Sequence, residues 1–288
     1  MGALTQRVDA NGVDILLDGT SVARYVLHPT MPGDESPRPF LSALRTPSGV
    51  RVSDAAPPDH AWHRDLSLAL PYVGPANLWG GRTWDATRRE YLDLGNNGAM
   101  LHESLEPAAG TDGIGVGFTE HLRWVDTRGG ELARERRELR FSTQTSGWRV
   151  EWSTYVTVSR SLAFGSPATH GREGAGYGGI FLRAAPSFRD GTITTSETST
   201  ADDGVLIGTS AEWMSVRAWD ASATVALAVP SAAPWFVRTR EYPGLGPAPF
   251  FHDERVLHAG ETLHLHCHVL VADGALTRGT LERDLLRR

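Results

Sequence analysis

Lysine is absent from this chain of 288 residues, so that all 28 basic side chains are arginines. This absence excludes a Schiff-base mechanism, a lysine-bound pyridoxal phosphate and a Walker-type phosphate loop, because each needs an amine that a guanidinium does not replace. Cys267 is the only cysteine. An intrachain disulfide and a metal site made of several cysteines are therefore excluded as well.

Long apolar runs and basic blocks are absent too. No stretch approaches the about 20 consecutive apolar residues of a membrane span, and residues 1–6 lack the apolar segment of a signal peptide. The formal charge of −6 comes from 28 basic and 34 acidic residues scattered along the chain, whereas a phosphate backbone is bound by clustered positive charge. We therefore expect a soluble, cytoplasmic protein that binds neither membrane nor nucleic acid, and the sequence leaves its oligomeric state open.

The pattern that is present is strand-like. Apolar and polar residues alternate with a period of two in runs separated by Gly, Pro, Asp and Asn. The clearest predicted strands are 13–17, 23–27, 66–73, 99–105, 115–125, 132–141, 148–158, 179–184, 213–219, 224–229 and 262–271, and a helix is predicted only at 276–286. Because no repeat and no Ser/Gly-rich linker divides the chain, we expect one domain over residues 1–288, an all-β fold built as a large antiparallel β-sandwich with a short C-terminal helix.

The most informative motif is Asp59-His60-Ala61-Trp62-His63-Arg64, which follows a Pro-rich run. The His-x-x-His spacing allows metal ligation by His60 and His63 in a helix or a suitable turn, but the prolines favour a loop and no third ligand is obvious. Proton transfer or substrate hydrogen bonding is the second alternative, and a structural role is the third. Asp59 can orient either imidazole.

Glu120 interrupts an apolar stripe on the predicted strand 115–125, where Phe118, Leu122 and Trp124 share its face. A carboxylate on a core-facing stripe is either paired, most simply with one of the many arginines, or it lines a cavity. The first alternative is structural. The second makes Glu120 a candidate general acid or base.

Three histidines alternate with other residues in His264-Leu265-His266-Cys267-His268. This pattern is typical of a strand with its apolar side inward and its histidines on the solvated face. We favour that interpretation over a metal site.

Two further groups are candidates for substrate binding. Trp62 and Trp79 lie near the histidine motif and are suited to stacking on a sugar ring. The Gly-rich segment 170–179 contains Tyr177 and has no helix after it, which argues against a dinucleotide-binding loop. Arg183 alternates with apolar neighbours, so that it either reaches into a cleft or forms a structural ion pair.

Several short motifs together carry a family resemblance. They are Arg38-Pro39-Phe40, Leu44 to Gly49, Asp59-His60 with His63-Arg64, Asn77 to Gly80, Tyr177 to Gly179 with Arg183, Pro234 to Phe236 and Ala259 to Leu263. From about residue 20 to residue 274 the chain resembles the bacterial PmoA-like family of uncharacterised proteins. The family name refers to methane oxygenase, but this chain lacks the apolar spans of a membrane-bound oxygenase. Where the family pattern is similar to Asp-His-Pro-His-His-Arg-Gly, Trp62 replaces the middle histidine, so that the third imidazole of a metal site is missing.

The same family is similar in size and strand content to the galactose mutarotase-like supersandwich, whose members bind sugars in a cleft with His, Arg and an acidic base. The resemblance therefore implies a supersandwich fold and carbohydrate metabolism, with a small-molecule sugar or glycoside as the partner. It implies no particular reaction.

Our leading hypothesis is a carbohydrate-active enzyme of the epimerase, lyase or hydrolase type that uses general acid/base catalysis and no cofactor. His60 and His63 exchange protons with a sugar oxygen, and Glu120 is the opposing base. The candidate substrate-binding residues are Arg64, Trp62, Trp79, His102, Tyr177 and Arg183. Two alternatives stay open: a non-catalytic sugar-binding or regulatory module, and a metal-dependent lyase or oxygenase in which His60 and His63 bind the ion with His102 or Glu120.

Overall fold

The computed structural model describes residues 2–109 and 115–286. Its strands, in chain order, are β1 (Leu4–Asp9), β2 (Gly12–Leu17), β3 (Thr20–Val26), β4 (Phe40–Ser42), β5 (Leu66–Val73), β6 (Ala76–Leu78), β7 (Thr83–Asp85), β8 (Glu90–Leu92), β9 (Ala99–Ala109), β10 (Val116–Val125), β11 (Glu131–Thr143), β12 (Gly147–Val158), β13 (Leu162–Gly165), β14 (Gly179–Arg183), β15 (Thr192–Thr195), β16 (Ser199–Thr200), β17 (Ser210–Arg217), β18 (Ala223–Arg238), β19 (Gly244–Pro247), β20 (Arg255–Leu257) and β21 (Thr262–Asp273). A helix, α1 (Arg278–Leu286), follows them.

Two antiparallel sheets form the framework. In the first sheet the strands lie in the order β9-β10-β11-β12-β21-β18-β17-β15-β16. In the second sheet the order is β1-β2-β3-β4-β5-β14-β19-β18. Strand β18 belongs to both sheets, because residues 223–228 pair with β21 and residues 235–238 pair with β19. This long strand therefore ties one side of the sandwich together.

The side chains between the two sheets form the main core. On β10, Phe118, Leu122 and Trp124 are buried while the alternate side chains are partly exposed, as the pleat of a strand requires. Tyr25 reaches across from the second sheet, with its ring centroid 4.9 Å from that of Phe118 and 6.4 Å from that of Trp152. Full burial of one such aromatic side chain contributes about 2 to 3 kcal/mol, so these contacts hold the sheets face to face.

The predicted fold class is confirmed. Strand β5 coincides with the predicted strand 66–73, and the other predicted strands match β2, β3, β9 to β12, β14, β17, β18 and β21, although β18 continues to Arg238. Helix α1 begins at Arg278, and Leu281 and Leu285 pack it against Trp213 and Leu270 of the first sheet. In the described part of the chain, no helix is long and apolar enough to span a bilayer. The single domain over residues 1–288 stays a prediction.

The second sheet is buried on both of its faces. On β14, Ile180 and Leu182 belong to the main core, whereas Phe181 belongs to a second apolar cluster with Trp79 and Tyr242. Since side chains alternate along a strand, this second cluster lies on the outer side of the sheet. Long loops cover that side, and the candidate site lies among them.

Candidate functional site

A cavity of about 630 Å³ lies beneath these loops. Its walls come from five parts of the chain: residues 34–35, 60–63, 79–93, 172–177 and 236–242. Five of the residues predicted from the sequence line it, namely His60, Trp62, His63, Trp79 and Tyr177. The size is within the range of about 300 to 1,000 Å³ that is typical of small-molecule sites.

His60 and His63 stack on each other at the wall of the cavity. Their ring centroids are 4.6 Å apart and their planes differ by 15°. The His60 side chain is 30% exposed, whereas His63 is only 2% exposed. Around His63, the rings of Trp79 and Phe181 each approach to 5.3 Å and that of Tyr242 to 5.5 Å. The pair thus consists of one accessible and one enclosed imidazole.

Arg183 and Asp59 form hydrogen bonds with the two imidazoles and with each other. Arg183 Nη2 donates to both carboxylate oxygens of Asp59 at 2.9 and 2.8 Å, and His60 Nδ1 lies 2.8 Å from Asp59 Oδ2. Arg183 Nη1 lies 3.4 Å from His63 Nδ1, and its guanidinium stacks on the ring of Tyr242 at 4.6 Å. Arg183 thus forms the ion pair of the structural alternative, and it is not among the residues that line the cavity.

The hydrogen bonds fix the tautomer of each imidazole. A carboxylate only accepts, so Nδ1 of His60 carries a proton, and in the neutral ring the lone pair is on Nε2. A guanidinium only donates, so His63 accepts at Nδ1 and carries its proton on Nε2. The two neighbouring rings thus offer a basic nitrogen and an N–H donor.

Burial and neighbouring charges set the protonation states of His63 and Asp59. Burial lowers the pKa of His63 well below its usual 6.5, and the nearby His60, Arg183 and Arg38 lower it further. Burial by itself would raise the pKa of Asp59, but hydrogen bonds from His60 and Arg183 bring it below its usual value. At neutral pH the site therefore contains a neutral His63 beside an ionised Asp59.

Trp62 rests on two glycines that have no space for a side chain. Gly80 and Gly81 have φ angles of 104° and 67°, which favour glycine. A Cβ atom on Gly81 would come within 2.8 Å of the Trp62 indole, and one on Gly80 within 2.6 Å of the Glu35 carbonyl oxygen. The close approach fixes the indole at the cavity wall.

Arg38 and Arg64 brace the loops on this side. Arg38 is buried and has no carboxylate partner among the described residues. It donates instead to three backbone carbonyl oxygens, those of Trp62 at 2.8 Å, Ser36 at 2.9 Å and Glu35 at 3.2 Å. Arg64, predicted to bind substrate, pairs with the Glu35 carboxylate. Both arginines therefore position the loops, and Arg64 is not part of the cavity lining.

A second polar group in the cavity was missed by sequence reasoning. Tyr91 Oη lies 2.9 Å from Tyr177 Oη and accepts a hydrogen bond from Arg172 Nη1 at 2.7 Å. The Arg172 guanidinium stacks on the Tyr91 ring at 4.7 Å, and Tyr177 packs on Trp79 at 4.6 Å. The only sequence signal was that Arg172 lies in the Gly-rich segment 170–179.

The assignment of Glu120 and His102 to the site needs correction, because neither lines the cavity. Glu120 is fully buried between the sheets, where it accepts a hydrogen bond from Tyr25 Oη and lies 2.8 Å from His102 Nδ1 and 3.9 Å from Arg137 Nη1. Arg137 in turn donates to Glu135 at 2.7 Å. Glu120 is thus the paired carboxylate of the structural alternative, and it is not available as the opposing base.

Metal ligation by His60 and His63 does not fit their geometry. A metal ion binds in the plane of each imidazole, and two nearly parallel, stacked rings do not share an ion in both planes. Each Nδ1 is also engaged, by Asp59 and by Arg183. The metal-dependent alternative therefore has no support at this pair.

Several solved structures are similar to this chain. A galactose mutarotase related enzyme from Lactobacillus acidophilus is 11% identical, with a TM-score of 0.36 over 95% of this chain and 100% of that one. A galactose mutarotase-like protein from Lactobacillus casei is 8% identical, with a TM-score of 0.37 over 93% of this chain and 100% of that one. Heparan sulfate lyase HepC from Pedobacter heparinus is 7% identical, with a TM-score of 0.40, and the match covers 96% of this chain and 36% of that one.

No curated protein matches the chain. A family model matches it over nearly its whole length, and neither this family nor the solved structures above carry the PmoA-like name that the motifs indicated. With residues 12–285 covered by that model, the chain belongs to DUF6807, a family of unknown function.

Proposed function

We propose that this protein is a carbohydrate-active enzyme that transfers protons at an activated carbon or oxygen of a sugar or glycoside, without an organic cofactor. One observation carries the proposal: the imidazoles of His60 and His63 stack at the wall of an aromatic-lined cavity, with Asp59 at Nδ1 of the first and Arg183 at Nδ1 of the second. The reaction class is that of an epimerase, lyase or hydrolase.

In this mechanism His60 is the general base. Asp59 keeps the His60 proton on Nδ1, and so its Nε2 removes a proton from the substrate. His63 acts as a neutral hydrogen-bond donor to the oxygen on which negative charge develops. Because Arg183 occupies its Nδ1, His63 presents only the N–H form.

Tyr91 is the candidate acid that takes the place of Glu120. Its oxygen accepts from Arg172, which leaves the phenolic proton for Tyr177 or for a group in the cavity. An arginine within hydrogen-bond distance also stabilises negative charge on the phenolic oxygen after proton donation. This places proton acceptor and proton donor on different segments of the wall.

The aromatic lining supports a sugar as the ligand. Five aromatic side chains line the cavity, namely Trp62, Trp79, Tyr177, Phe236 and Tyr242. Rings of this kind pack on the apolar faces of sugars, while charged neighbours bind the hydroxyl groups.

The cytoplasmic location expected from the sequence stays a prediction.

The test is a panel of reducing sugars, uronates and ketoglycosides, screened first for binding by saturation-transfer NMR and then for turnover. We expect at least one sugar to be converted by the wild-type chain and to be converted far more slowly by His63→Ala, with binding retained. Full turnover by His63→Ala would refute the role of this residue. A sugar that binds through Trp62 and Trp79 but is never converted would identify the protein as a binding module instead.

A further inference from the structure

A second cluster of polar side chains lies on the outer face of the first sheet, away from the cavity. Strands β12 and β21 pair so that Glu151 is opposite His268 and Ser153 is opposite His266. One nitrogen of each histidine and a carboxylate oxygen of Glu151 all lie within 4.8 Å of one another. The register of two long strands thus brings three potential metal ligands together.

Hydrogen bonds orient both imidazoles of this cluster. His268 Nδ1 lies 2.8 Å from the carbonyl oxygen of Leu285 in helix α1, and because a carbonyl only accepts, the His268 proton is on Nδ1 and its Nε2 has a free lone pair. His266 Nδ1 lies 2.7 Å from Ser153 Oγ. Metal-binding histidines are commonly held in this way, with one ring nitrogen bonded to the protein and the other directed to the ion.

Both imidazoles are partly buried, and His268 lies beneath the end of helix α1. The sequence pattern did not anticipate this burial, because the helix that covers His268 follows later in the chain.

Two arginines lie near Glu151. Arg140 is opposite Glu151 on β11, and it donates to Glu138 at 3.3 Å. Arg149, two residues before Glu151 on the same strand, donates to the carbonyl oxygens of Asp284 and Leu285 at 3.3 and 3.2 Å and also interacts electrostatically with Glu151.

We propose that Glu151, His266 and His268 form a binding site for a zinc ion, separate from the sugar site. Two imidazoles and a carboxylate are a common zinc ligand set, with a water molecule in the fourth position. Bonds of about 2.1 Å in a tetrahedron place ligand atoms about 3.4 Å apart, and small side-chain rotations bring these three groups to that spacing. Because Leu285 holds His268, the ion stabilises the contact between α1 and the sheet.

The experiment uses the full chain without a histidine tag, dialysed against EDTA and titrated with Zn²⁺ by calorimetry, with Co²⁺ absorption as a second probe. We expect one Zn²⁺ per chain and a higher melting temperature in its presence. Glu151→Gln, which keeps the shape of the side chain, and His268→Ala should each weaken binding by about tenfold or more. The matched control is His264→Ala, on the same face of the same strand but exposed and stacked on Tyr155 at 4.4 Å, which should leave binding unchanged.

Three results would overturn the proposal: no stoichiometric binding by the wild-type chain, no weakening in Glu151→Gln, or an equal weakening in His264→Ala. The last result would mean nonspecific binding along a row of histidines. Circular dichroism of every variant in EDTA separates loss of binding from loss of fold.

Discussion

The imidazole rings of His60 and His63 stack at a centroid distance of 4.6 Å, yet each is bound by a partner of opposite character. Asp59 accepts from His60, and Arg183 donates to His63. Two side chains of the same type are therefore held in complementary tautomers three residues apart. This relationship supports the proposed proton transfer and argues against chelation of a metal ion by the pair.

His60→Gln should lower kcat by about 10² to 10⁴ and change KM little, because a general base contributes about that much to the rate. The measurement is steady-state kinetics on the sugar identified in the binding screen. His121→Ala is the matched control, since His121 lies on the exposed side of β10, outside the cavity lining. An unchanged kcat in His60→Gln would contradict the assignment.

Asp59→Asn should disturb the tautomer of His60 and destabilise the fold. Arg183 is only 5% exposed and would lose its carboxylate partner, but water reaches Asp59, so we expect a loss of about 1 to 2 kcal/mol, less than for a fully buried pair. Nitrogen-15 NMR of the imidazoles reports the tautomer and urea unfolding reports the stability. If His60 kept its proton on Nδ1 in this variant, Asp59 would not be the positioning residue.

Stability should fall as the pH is lowered through 6.5, in part because of His63. Its pKa is lowered in the folded chain, so the unfolded chain takes up a proton first, near pH 6.5. The contribution of neutral His63 to the free energy of unfolding is therefore complete above pH 6.5. Below that pH it is lost progressively, and the free energy of unfolding falls by at most about 1.4 kcal/mol per pH unit for one histidine. Urea unfolding between pH 5 and pH 8 should show a smaller slope for His63→Gln, and the remaining slope comes from groups such as His266 and His268. An identical slope in His63→Gln would contradict this account.

Glu120→Gln should destabilise the protein with little effect on the cavity. The substitution removes one charge from a buried network with Tyr25, His102 and Arg137, and the expected loss is about 3 kcal/mol. The free energy of unfolding and kcat are measured on the same preparation. A large fall in kcat at unchanged stability would restore Glu120 as a catalytic candidate.

Gly81→Ala should displace the Trp62 indole, because a Cβ would come within 2.8 Å of it. We expect weaker sugar binding, by about fivefold for the loss of one aromatic contact of about 1 kcal/mol. Gly49→Ala is a matched control for left-handed backbone, since it also has a positive φ but no atom within 4 Å of the added Cβ. Equal sugar affinity in both variants would refute the role of the indole.

Local patterns predicted most strands and some of the residues that line the cavity. Period-two alternation identified β5 and β10 because each strand has a buried face that its own residues reveal. His60, Trp62 and His63 were found because they are adjacent in sequence. Arg183 was found because a charge among apolar neighbours on a buried strand needs a partner.

The other residues of the site depend on contacts between segments that are distant in sequence. Glu120 was correctly placed on a core-facing stripe, but its partners Tyr25 and Arg137 lie on other strands, so the sequence did not distinguish an interior network from a cavity. Tyr91 and Arg172 come from segments 81 residues apart. No periodicity marks such a pair, because it is created by the packing of loops over the second sheet.

The most direct test of the account is NMR of the bound sugar in D₂O, which detects anomeric exchange, deuterium incorporation at carbon and bond cleavage in one experiment. We expect the wild-type chain to catalyse one of these changes on a sugar that occupies the cavity, and His60→Gln to bind the sugar without changing it. A sugar that occupies the cavity and stays unaltered in the wild-type chain, or is altered equally fast by His60→Gln, would contradict it.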